Sequence, residues 1–308
     1  MSRVVVSGAT GLIGRATCHA LLKRGDHPVA LSRDPRRARQ ALPVEIEVIA
    51  WRNPTTATPP SEALAGADAV VNLLGEPIAQ RWSDDAKRRI RESRVTATQM
   101  LVTGLRALPE SDRPRVLVSQ SATGYFGASD DRMLTDDSPP GKDFLARIVA
   151  DWEASALAGG DMLRVAVTRT GVVISPSGGA LSKMLPVFRA GIGGPVAGGR
   201  QYVPWIHLDD VIAGLLFCLD HDQVIGPVNL TAPAPVDNTE FSHALGRALG
   251  RPAFLPVPGL AVRALYGEMS EIVTSGQRAI PARLLALGLE FRHPEIEPAL
   301  RDVLGGGT

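Results

Sequence analysis

Short apolar runs alternate with stretches of helical spacing along the first half of the chain. The runs are RVVVSGA, HPVALSR, DAVVNLLG, RVLVSQSA and LRVAVTRTGVVI, and GLIGRATCHALLKRG and FLARIVADWEASALAGG are among the helical stretches between them. Within DDAKRRIRESRVTATQMLVTGLRAL, the residues Ile90, Ala97, Leu101 and Leu105 share one apolar side. Strands that are apolar on both faces and separated by helices predict a parallel sheet covered by helices.

The pattern changes after Ile174. The stretch SPSGGALSKMLPVFRAGIGGPVAGG is rich in Gly and Pro, and short helical patterns interrupted by prolines follow from Ala232. We therefore predict an α/β fold in which residues 1–174, joined again by 206–231, form a doubly wound parallel sheet. Residues 175–205 and 232–308 are predicted to form a smaller, mainly helical C-terminal domain over the cleft.

Composition and charge narrow the classes of function. Hydrophobic residues make up 44% and charged residues 21% of the 308 positions, which is typical of a soluble globular enzyme. The net charge of +1, with basic residues spread along the chain, gives no support for nucleic-acid binding. The run VIAGLLFCL is too short for a membrane span, and the N-terminus has no signal-peptide pattern. Cys18 and Cys218 lack metal-ligand spacing, so we expect a cytoplasmic protein with buried thiols and without a metal.

A glycine-rich turn joins the first strand to the first helix. Glycines in this context permit a tight turn and let the helix N-terminus approach a pyrophosphate group. The turn SGATGLIG therefore predicts a dinucleotide site of the Rossmann type. The predicted cofactor contacts in this turn are Gly8, Thr10, Gly11, Leu12, Ile13 and Gly14.

The end of the second strand indicates which dinucleotide binds. A site that prefers NAD usually has a carboxylate here, which accepts from the ribose 2′-hydroxyl group. The stretch LSRDPRRAR instead places Ser32 and Arg33 at this position, with Arg36 and Arg37 after them. A guanidinium group suits a 2′-phosphate, so NADP is the predicted cofactor. A solvated basic helix start is the alternative explanation of these arginines, and Asp34 leaves room for NAD.

Hydroxyl groups gather where the strand RVLV ends. The stretch SQSATGYFG contains Ser119, Ser121, Thr123 and Tyr125 within seven positions. Hydroxyl groups at the junction of a buried strand and a loop often face a ligand. A serine or a tyrosine needs a partner, however, to act as an acid or a base near neutral pH.

These motifs, taken in order, resemble a known superfamily. The stretches SGATGLIG, DAVVNLLG, SQSATGYFG and WIHLDDV resemble the extended short-chain dehydrogenase/reductases, which include nucleotide-sugar epimerases and dehydratases. A closer resemblance is to the atypical NAD-dependent epimerase/dehydratase branch described as predicted nucleoside-diphosphate sugar epimerases. It is carried by GEPIAQRW, SRVTATQML, FLARIVADWEASA, RTGVVISPSGGAL and GQRAIPARLLALGLEF. The last third resembles the small C-terminal domain of that branch.

The resemblance assigns roles to further residues. It implies that Ser121 is the active-site serine, that residues after the fourth strand line the cofactor, and that two residues after the sixth lie near the nicotinamide. For His207 and Asp210 it implies a helix start, where capping and structural hydrogen bonds are expected. The predicted cofactor contacts outside the glycine turn are Ser32, Arg33, Leu73, Leu74, Gly75, Glu76, Ser119, Gly171 and Val172.

The resemblance also implies a Tyr-x-x-x-Lys pair, which this chain lacks. In active members the lysine holds the nicotinamide ribose and lowers the pKa of the tyrosine, which moves the substrate proton. A spacing of four places both side chains on one helix face. In FLARIVADWEASA, Phe144 and Leu145 lie near the tyrosine position and Ile148 and Val149 near the lysine position. The nearest substitute is Tyr125, for which packing of the turn is the alternative role.

Two functions remain open at this point. The chain is either an NADP-dependent oxidoreductase or epimerase with Ser121 and Tyr125 as catalytic residues, or a non-catalytic NADP-binding sensor or scaffold. The substrate of the enzyme would be a small hydroxyl or carbonyl compound, with nucleotide sugars among the candidates. We expect no nucleic-acid or membrane partner, and a monomer or a homodimer.

Some residues around the predicted cleft have two possible roles. Glu76 and Arg81 follow the fourth strand and could reach the cofactor mouth. Arg94 either holds an anionic substrate or forms a surface ion pair. Trp51 either touches the adenine or packs locally. We expect the opposite wall of the cleft to be formed by the loop Ser177–Gly199 and by Gln201, Tyr202 and Trp205.

Overall fold

A computed structural model describes residues 1–129 and 131–305, so the last three residues of the predicted C-terminal domain lie outside it. The strands are β1 (Arg3–Ser7), β2 (His27–Ser32), β3 (Glu47–Ala50), β4 (Ala69–Asn72), β5 (Val116–Ala122), β6 (Met133–Leu134), β7 (Arg164–Thr170), β8 (Val172–Ile174), β9 (Tyr202–Val203), β10 (Trp205–His207), β11 (Gly226–Leu230), β12 (Val236–Asp237) and β13 (Arg278–Ala279).

The helices connect these strands and then dominate the last third of the chain. They are α1 (Leu12–Lys23), α2 (Pro35–Ala41), α3 (Ser61–Leu64), α4 (Asp84–Glu92), α5 (Val95–Arg106), α6 (Phe144–Leu157), α7 (Gly179–Arg189), α8 (Leu208–Asp220), α9 (Asn238–Leu249), α10 (Gly259–Tyr266), α11 (Glu271–Thr274), α12 (Ala282–Ala286) and α13 (Ile296–Gly305). Short 3-10 turns span Glu110–Asp112, Thr123–Phe126 and Gly267–Ser270.

Seven parallel strands form the main sheet, in the order β11-β7-β5-β4-β1-β2-β3. Chain order therefore runs outward in both directions from β1, and a crevice opens at the carboxyl ends of β1 and β4. The predicted α/β Rossmann fold, a doubly wound parallel sheet with a small helical C-terminal region, is confirmed.

Apolar clusters lie on both faces of the sheet because successive strand residues point to opposite sides. On one face Val4 and Val6 of β1 pack with α1 and α8. On the other face Val5 packs with α3, α5 and α6. This double burial explains why the strands read as continuous apolar runs.

The C-terminal region has its own apolar cluster, built mainly from α7, α9 and α13. It reaches the carboxyl edge of the sheet through β13, which pairs with β6, and through Gln277, whose Nε2 donates to the carbonyl oxygen of Gly127 at 2.8 Å. Strand β11 returns to the main sheet beside β7. The exact domain boundaries stay a prediction.

Two predicted segments are divided in the structure. The helical stretch from Asp84 breaks at Ser93 and Arg94 into α4 and α5. The strand LRVAVTRTGVVI is interrupted at Gly171, where a side chain would overlap the carbonyl oxygen of Pro204. The amide of Val172 donates to that same oxygen at 2.6 Å, so β8 leaves the main sheet and pairs with β10.

Candidate functional site

The turn after β1 has the geometry of an anion site. Gly8 has a φ of +68°, and a Cβ atom there would overlap the carbonyl oxygen of Leu73. A Cβ atom at Gly14 would overlap the carbonyl oxygen of Gly8, so the helix can approach the turn only with glycine at this position. No side chain among the described residues caps α1, whose first N–H groups therefore remain free for a phosphate ligand. The predicted contacts Thr10 and Gly11 are exposed here, whereas Leu12 and Ile13 are partly buried.

Exposed arginines follow the end of β2. The carboxylate of Asp34 accepts from the amides of Arg36 and Arg37, both at 3.1 Å, and so caps α2. The hydroxyl of Ser32 is held by the backbone of Asp34. Arg33 is exposed and forms no hydrogen bond or ion pair within residues 1–129 and 131–305. Its guanidinium group is therefore available to a ligand.

A buried polar network ties β4 to its neighbours. Oδ1 of Asn72 accepts from the Ser7 hydroxyl at 2.7 Å. Its amide nitrogen donates to Thr98 at 3.0 Å and to Ser119 at 3.2 Å. The indole of Trp152 on α6 also donates to Thr98, at 3.1 Å. The network fixes the end of β4, where the predicted contacts Leu73, Leu74 and Gly75 follow. Ser119 is fully buried within it.

The Ser121 hydroxyl is turned toward α6. It donates to Oε1 of Glu153 at 2.6 Å, and the residue is only 1% exposed. Glu153 also forms a bidentate pair with Arg169 of β7, with Nε–Oε1 at 2.8 Å and Nη2–Oε2 at 2.9 Å. A third guanidinium nitrogen donates to the carbonyl oxygen of Asp136 at 2.7 Å. The hydroxyl would have to rotate to meet a substrate, and the catalytic role of Ser121 stays a prediction.

Tyr125 packs against this ion pair. The guanidinium carbon of Arg169 lies 3.5 Å from the centroid of the Tyr125 ring and 5.2 Å from that of Phe126. Such stacking holds a ring through a cation–π contact. In the part of the chain that the structure describes, the Tyr125 hydroxyl has no hydrogen-bond partner. Because Glu153 neutralises Arg169, the main effect of the contact is to fix the orientation of the ring.

Two aliphatic residues of α6 face the turn that carries Tyr125. A Cβ atom placed on Gly124 would lie 3.8 Å from Val149 and 3.9 Å from Leu145. Phe144 and Ile148, the other two candidates, pack in the cluster around Trp82, which Leu145 also contacts. Leu145 and Val149 are thus the candidates that face this turn, and their assignment to the expected tyrosine and lysine positions stays a prediction.

Other sequence-predicted residues are dispersed. Glu76 is partly buried, with its carboxylate 3.9 Å from Nε of Arg89. Arg81 is exposed. Trp51 is buried and donates to the carbonyl oxygen of Ala57 at 2.8 Å, which fits the local packing role. Arg94 is partly buried beside Gly75 and forms no surface ion pair with a described residue.

The wall of the predicted cleft that faces the glycine turn begins at the N-terminus of α7. A Cβ atom on Gly178 would lie 3.6 Å from Leu12 of the glycine turn. Lys183 donates to the carbonyl oxygen of Ala79 at 3.1 Å and so links α7 to the loop after β4. The side chains of Gln201 and Trp205 donate hydrogen bonds to backbone carbonyl oxygens. Gly171 and Val172 lie next to this wall, at the end of β7.

His207 and Asp210 have structural partners. The carboxylate of Asp210 accepts from the amides of Arg292 and His293, at 2.7 and 3.0 Å. His207 Nδ1 accepts from the amide of Asp209 at 3.1 Å, which caps α8 and leaves the proton of the neutral ring on Nε2. His207, Asp209 and His293 place ligand atoms within 4.8 Å of one another, but this tautomer does not suit metal ligation by Nε2.

Comparison with known proteins agrees with this arrangement. The NAD dependent epimerase/dehydratase family model matches residues 4–230, and a domain of unknown function, DUF1731, matches residues 257–303.

This chain belongs to the NAD dependent epimerase/dehydratase family.

Its relatives cover nearly the whole chain. An epimerase family protein of Mycobacterium tuberculosis is 43% identical over 300 residues, covering 96% of each chain. A chloroplastic homologue of the epimerase family protein SDR39U1 from Arabidopsis thaliana is 38% identical over 309 residues, covering 98% of this chain and 86% of the relative. The crystal structure of human SDR39U1 with NADPH matches with a TM-score of 0.88 and 36% identity, covering 98% and 99% of the two chains. No helix among the described residues is long and apolar enough to cross a membrane.

Sequence reasoning missed Glu153, Arg169 and Asn72. Each is a polar or charged side chain in an otherwise apolar element, and each is no more than 4% exposed. Buried charges are rare unless they are paired, so a lone Arg in VAVTRTGVV and a Glu in an apolar helix were available signals. The sequence does not show which residues pair.

Proposed function

We propose that the protein binds NADP(H) in the crevice between β1 and β4. The pyrophosphate would lie on the free N-terminus of α1, and the 2′-phosphate would meet Arg33. Support comes from the exposed, unpaired guanidinium of Arg33 and from Asp34, whose carboxylate is committed to capping α2. The human relative with NADPH, at 36% identity, also supports this cofactor.

We further propose that the protein is an oxidoreductase or epimerase acting on a small hydroxyl or carbonyl substrate. The observation that carries this proposal is the Tyr125 side chain, whose ring is fixed by Arg169 while its hydroxyl has no partner within residues 1–129 and 131–305. The bound nicotinamide would supply or accept the hydride. In the reductive direction Tyr125 donates its phenolic proton to the carbonyl oxygen of the substrate, and bulk water restores that proton.

A second candidate is a non-catalytic NADP-binding sensor or scaffold. It is supported by Leu145 and Val149, the aliphatic residues of α6 nearest Gly124, which we assign to the positions where active members of the superfamily carry the tyrosine and the lysine. Such a protein would bind NADPH and change shape or partner affinity without consuming it. The cytoplasmic location, the small-molecule substrate and the monomeric or homodimeric state remain predictions, and one relative is chloroplastic.

The Tyr125→Phe variant separates the two functions. NADPH consumption is measured over a panel of carbonyl compounds and nucleotide sugars, and NADPH affinity is measured by fluorescence. The enzyme proposal expects turnover by the native protein and a loss of about 100-fold or more in the variant, since general acid catalysis contributes roughly that factor. NADPH affinity should be unchanged.

Tyr266→Phe is the matched control, because Tyr266 is exposed on α10 and distant in sequence from the cleft. It should keep full activity. Undiminished turnover in Tyr125→Phe would exclude Tyr125 as the proton donor. NADPH binding without turnover on any member of the panel, in the native protein, would favour the sensor.

A further inference from the structure

Arg94 occupies an unusual position between two elements of the candidate site. Its guanidinium carbon lies 5.4 Å from the centroid of the Trp152 ring on α6. The guanidinium group also lies against Gly75, where a Cβ atom would be only 3.1 Å from Nη2 and 3.2 Å from Cζ. A side chain at position 75 would therefore displace the guanidinium group.

The positive charge of Arg94 has no contacting counterion. Within residues 1–129 and 131–305, no carboxylate lies within 4.0 Å of its guanidinium group, and the carboxylate of Glu76 lies near Arg89 instead. Burial lowers the pKa of Arg94 to about 10, and the charge of Glu76 opposes that effect. The side chain is therefore still a cation at neutral pH, in an environment that disfavours charge.

One edge of the guanidinium group is unused. Nη1 donates to the carbonyl oxygen of Ile90 at 3.2 Å and approaches the Ser93 hydroxyl at 3.5 Å. Nε and Nη2 have no acceptor in the part of the chain that the structure describes. These two nitrogens form the parallel pair of donors that fits both oxygens of a carboxylate or phosphate group.

The position of Arg94 relates it to the carboxyl ends of the strands. Gly75, which it contacts, follows β4, the neighbour of the strand that carries the glycine turn. Trp152 lies one helical turn after Val149, the residue at the expected lysine position, and its indole is fixed by Thr98. Ligands of such sheets bind in the crevice at the carboxyl ends of the strands.

We propose that Arg94 is a substrate-binding residue that pairs with a carboxylate or phosphate group on the substrate. The inference rests on the proposed function, because the anionic ligand is taken to be the hydroxyl or carbonyl substrate of the proposed enzyme. An unpaired cation that is costly to bury is retained where a ligand supplies the missing charge. The substrate class is thereby narrowed to anionic hydroxyl or carbonyl compounds.

The test measures binding to the NADPH-loaded protein and needs no turnover. The probes are acetate, pyruvate and inorganic phosphate, and the uncharged comparisons are acetamide and pyruvamide. Thermal midpoints over a concentration series give the affinities. The native protein should be stabilised by at least one anion and not by the amides, and the phosphate arm distinguishes phosphorylated from carboxylated substrates.

Arg94→Met should weaken binding of that anion at least tenfold. Its thermal midpoint without ligand should be equal to or above that of the native protein, because an unpaired buried charge has been removed. Arg94→Lys keeps the charge without the parallel donors, so its affinity for the anion should also fall about tenfold. This variant provides the test if Arg94→Met does not fold. Arg88→Met removes an exposed arginine that pairs with Asp85, and it should bind as the native protein does.

Three results would overturn the proposal. They are anion binding that is undiminished in both Arg94 variants, the absence of stabilisation of the native protein by any anion, and a matching loss of NADPH affinity in the variants. The last result would assign Arg94 to the cofactor. An Arg94-dependent anion site in a protein without turnover would refute the enzyme function and leave the anion site standing.

Discussion

Removing the carboxylate of Glu153 should destabilise the protein strongly, because it leaves the guanidinium of Arg169 buried without a counterion. The side chains are 4% and 3% exposed. The Glu153→Gln variant loses the charge that receives two guanidinium hydrogen bonds, at 2.8 and 2.9 Å, and the hydrogen bond from Ser121 at 2.6 Å. Breaking a buried pair from one side costs about 3–5 kcal/mol.

A double variant tests whether the cost arises from the stranded charge. Replacing both Glu153 and Arg169 with Met removes both charges and keeps comparable volume. We expect the double variant to be less destabilised than the sum of the Glu153→Met and Arg169→Met single variants by about 2 kcal/mol or more, since contacting charged residues are coupled. The unpaired Ser121 hydroxyl should still cost about 1 kcal/mol.

The measurement is urea unfolding followed by far-UV circular dichroism. Asp161→Asn is the control, because Asp161 pairs with Arg106 at 2.7 and 3.0 Å and the two side chains are 61% and 50% exposed. Both pairs join an arginine to a carboxylate through two hydrogen bonds, but this pair is exposed, so a change of less than about 1 kcal/mol is expected. Two results would contradict the argument: a shift of the urea midpoint in Glu153→Gln no larger than that of the control, or additive changes in the free energy of unfolding. Either would show that burial does not set the contribution of the pair to stability.

Two further predictions concern the cofactor and pH. Arg33→Glu should lower NADPH affinity by roughly tenfold or more, because a charge-assisted bond is lost. Its NADH affinity, also measured by calorimetry, should be unchanged or improved. An equal loss of affinity for both cofactors would contradict the assignment of the 2′-phosphate to Arg33. Burial, aided by the charge of His293 and opposed by Asp209, Asp302 and Asp210, lowers the pKa of His207. The unfolded chain therefore binds the proton more tightly, so stability should fall as pH drops below about 6.5, with a slope of up to about 1.4 kcal/mol per pH unit from this group. Thermal midpoints at about pH 5 and 7.5 should fall less in His207→Asn, which can still cap α8; an equal fall would contradict the prediction.

The sheet and the conformation of the glycine turn were predictable because both depend on local patterns. A strand buried on both faces gives a continuous apolar run, and a helix that approaches the end of the preceding strand so closely needs Gly8 and Gly14. The partners of Ser121 were not predictable in this way. Its hydroxyl meets Glu153 across 32 positions, and Glu153 meets Arg169 across another 16, so the contacts arise only when β5, α6 and β7 pack together.

Arg94 and Arg169 show what such packing decides. Arg94, in SRVTA, lies at the break between α4 and α5, and Arg169, in TRTGV, lies near the end of β7. Arg169 meets a carboxylate on the facing turn of α6 and becomes part of the support for the Tyr125 ring. Arg94 meets a tryptophan on the same helix one residue earlier, while the acid near it is directed at Arg89. The identity of adjacent positions 152 and 153 thus makes one guanidinium a structural partner and leaves the other free for an anionic ligand.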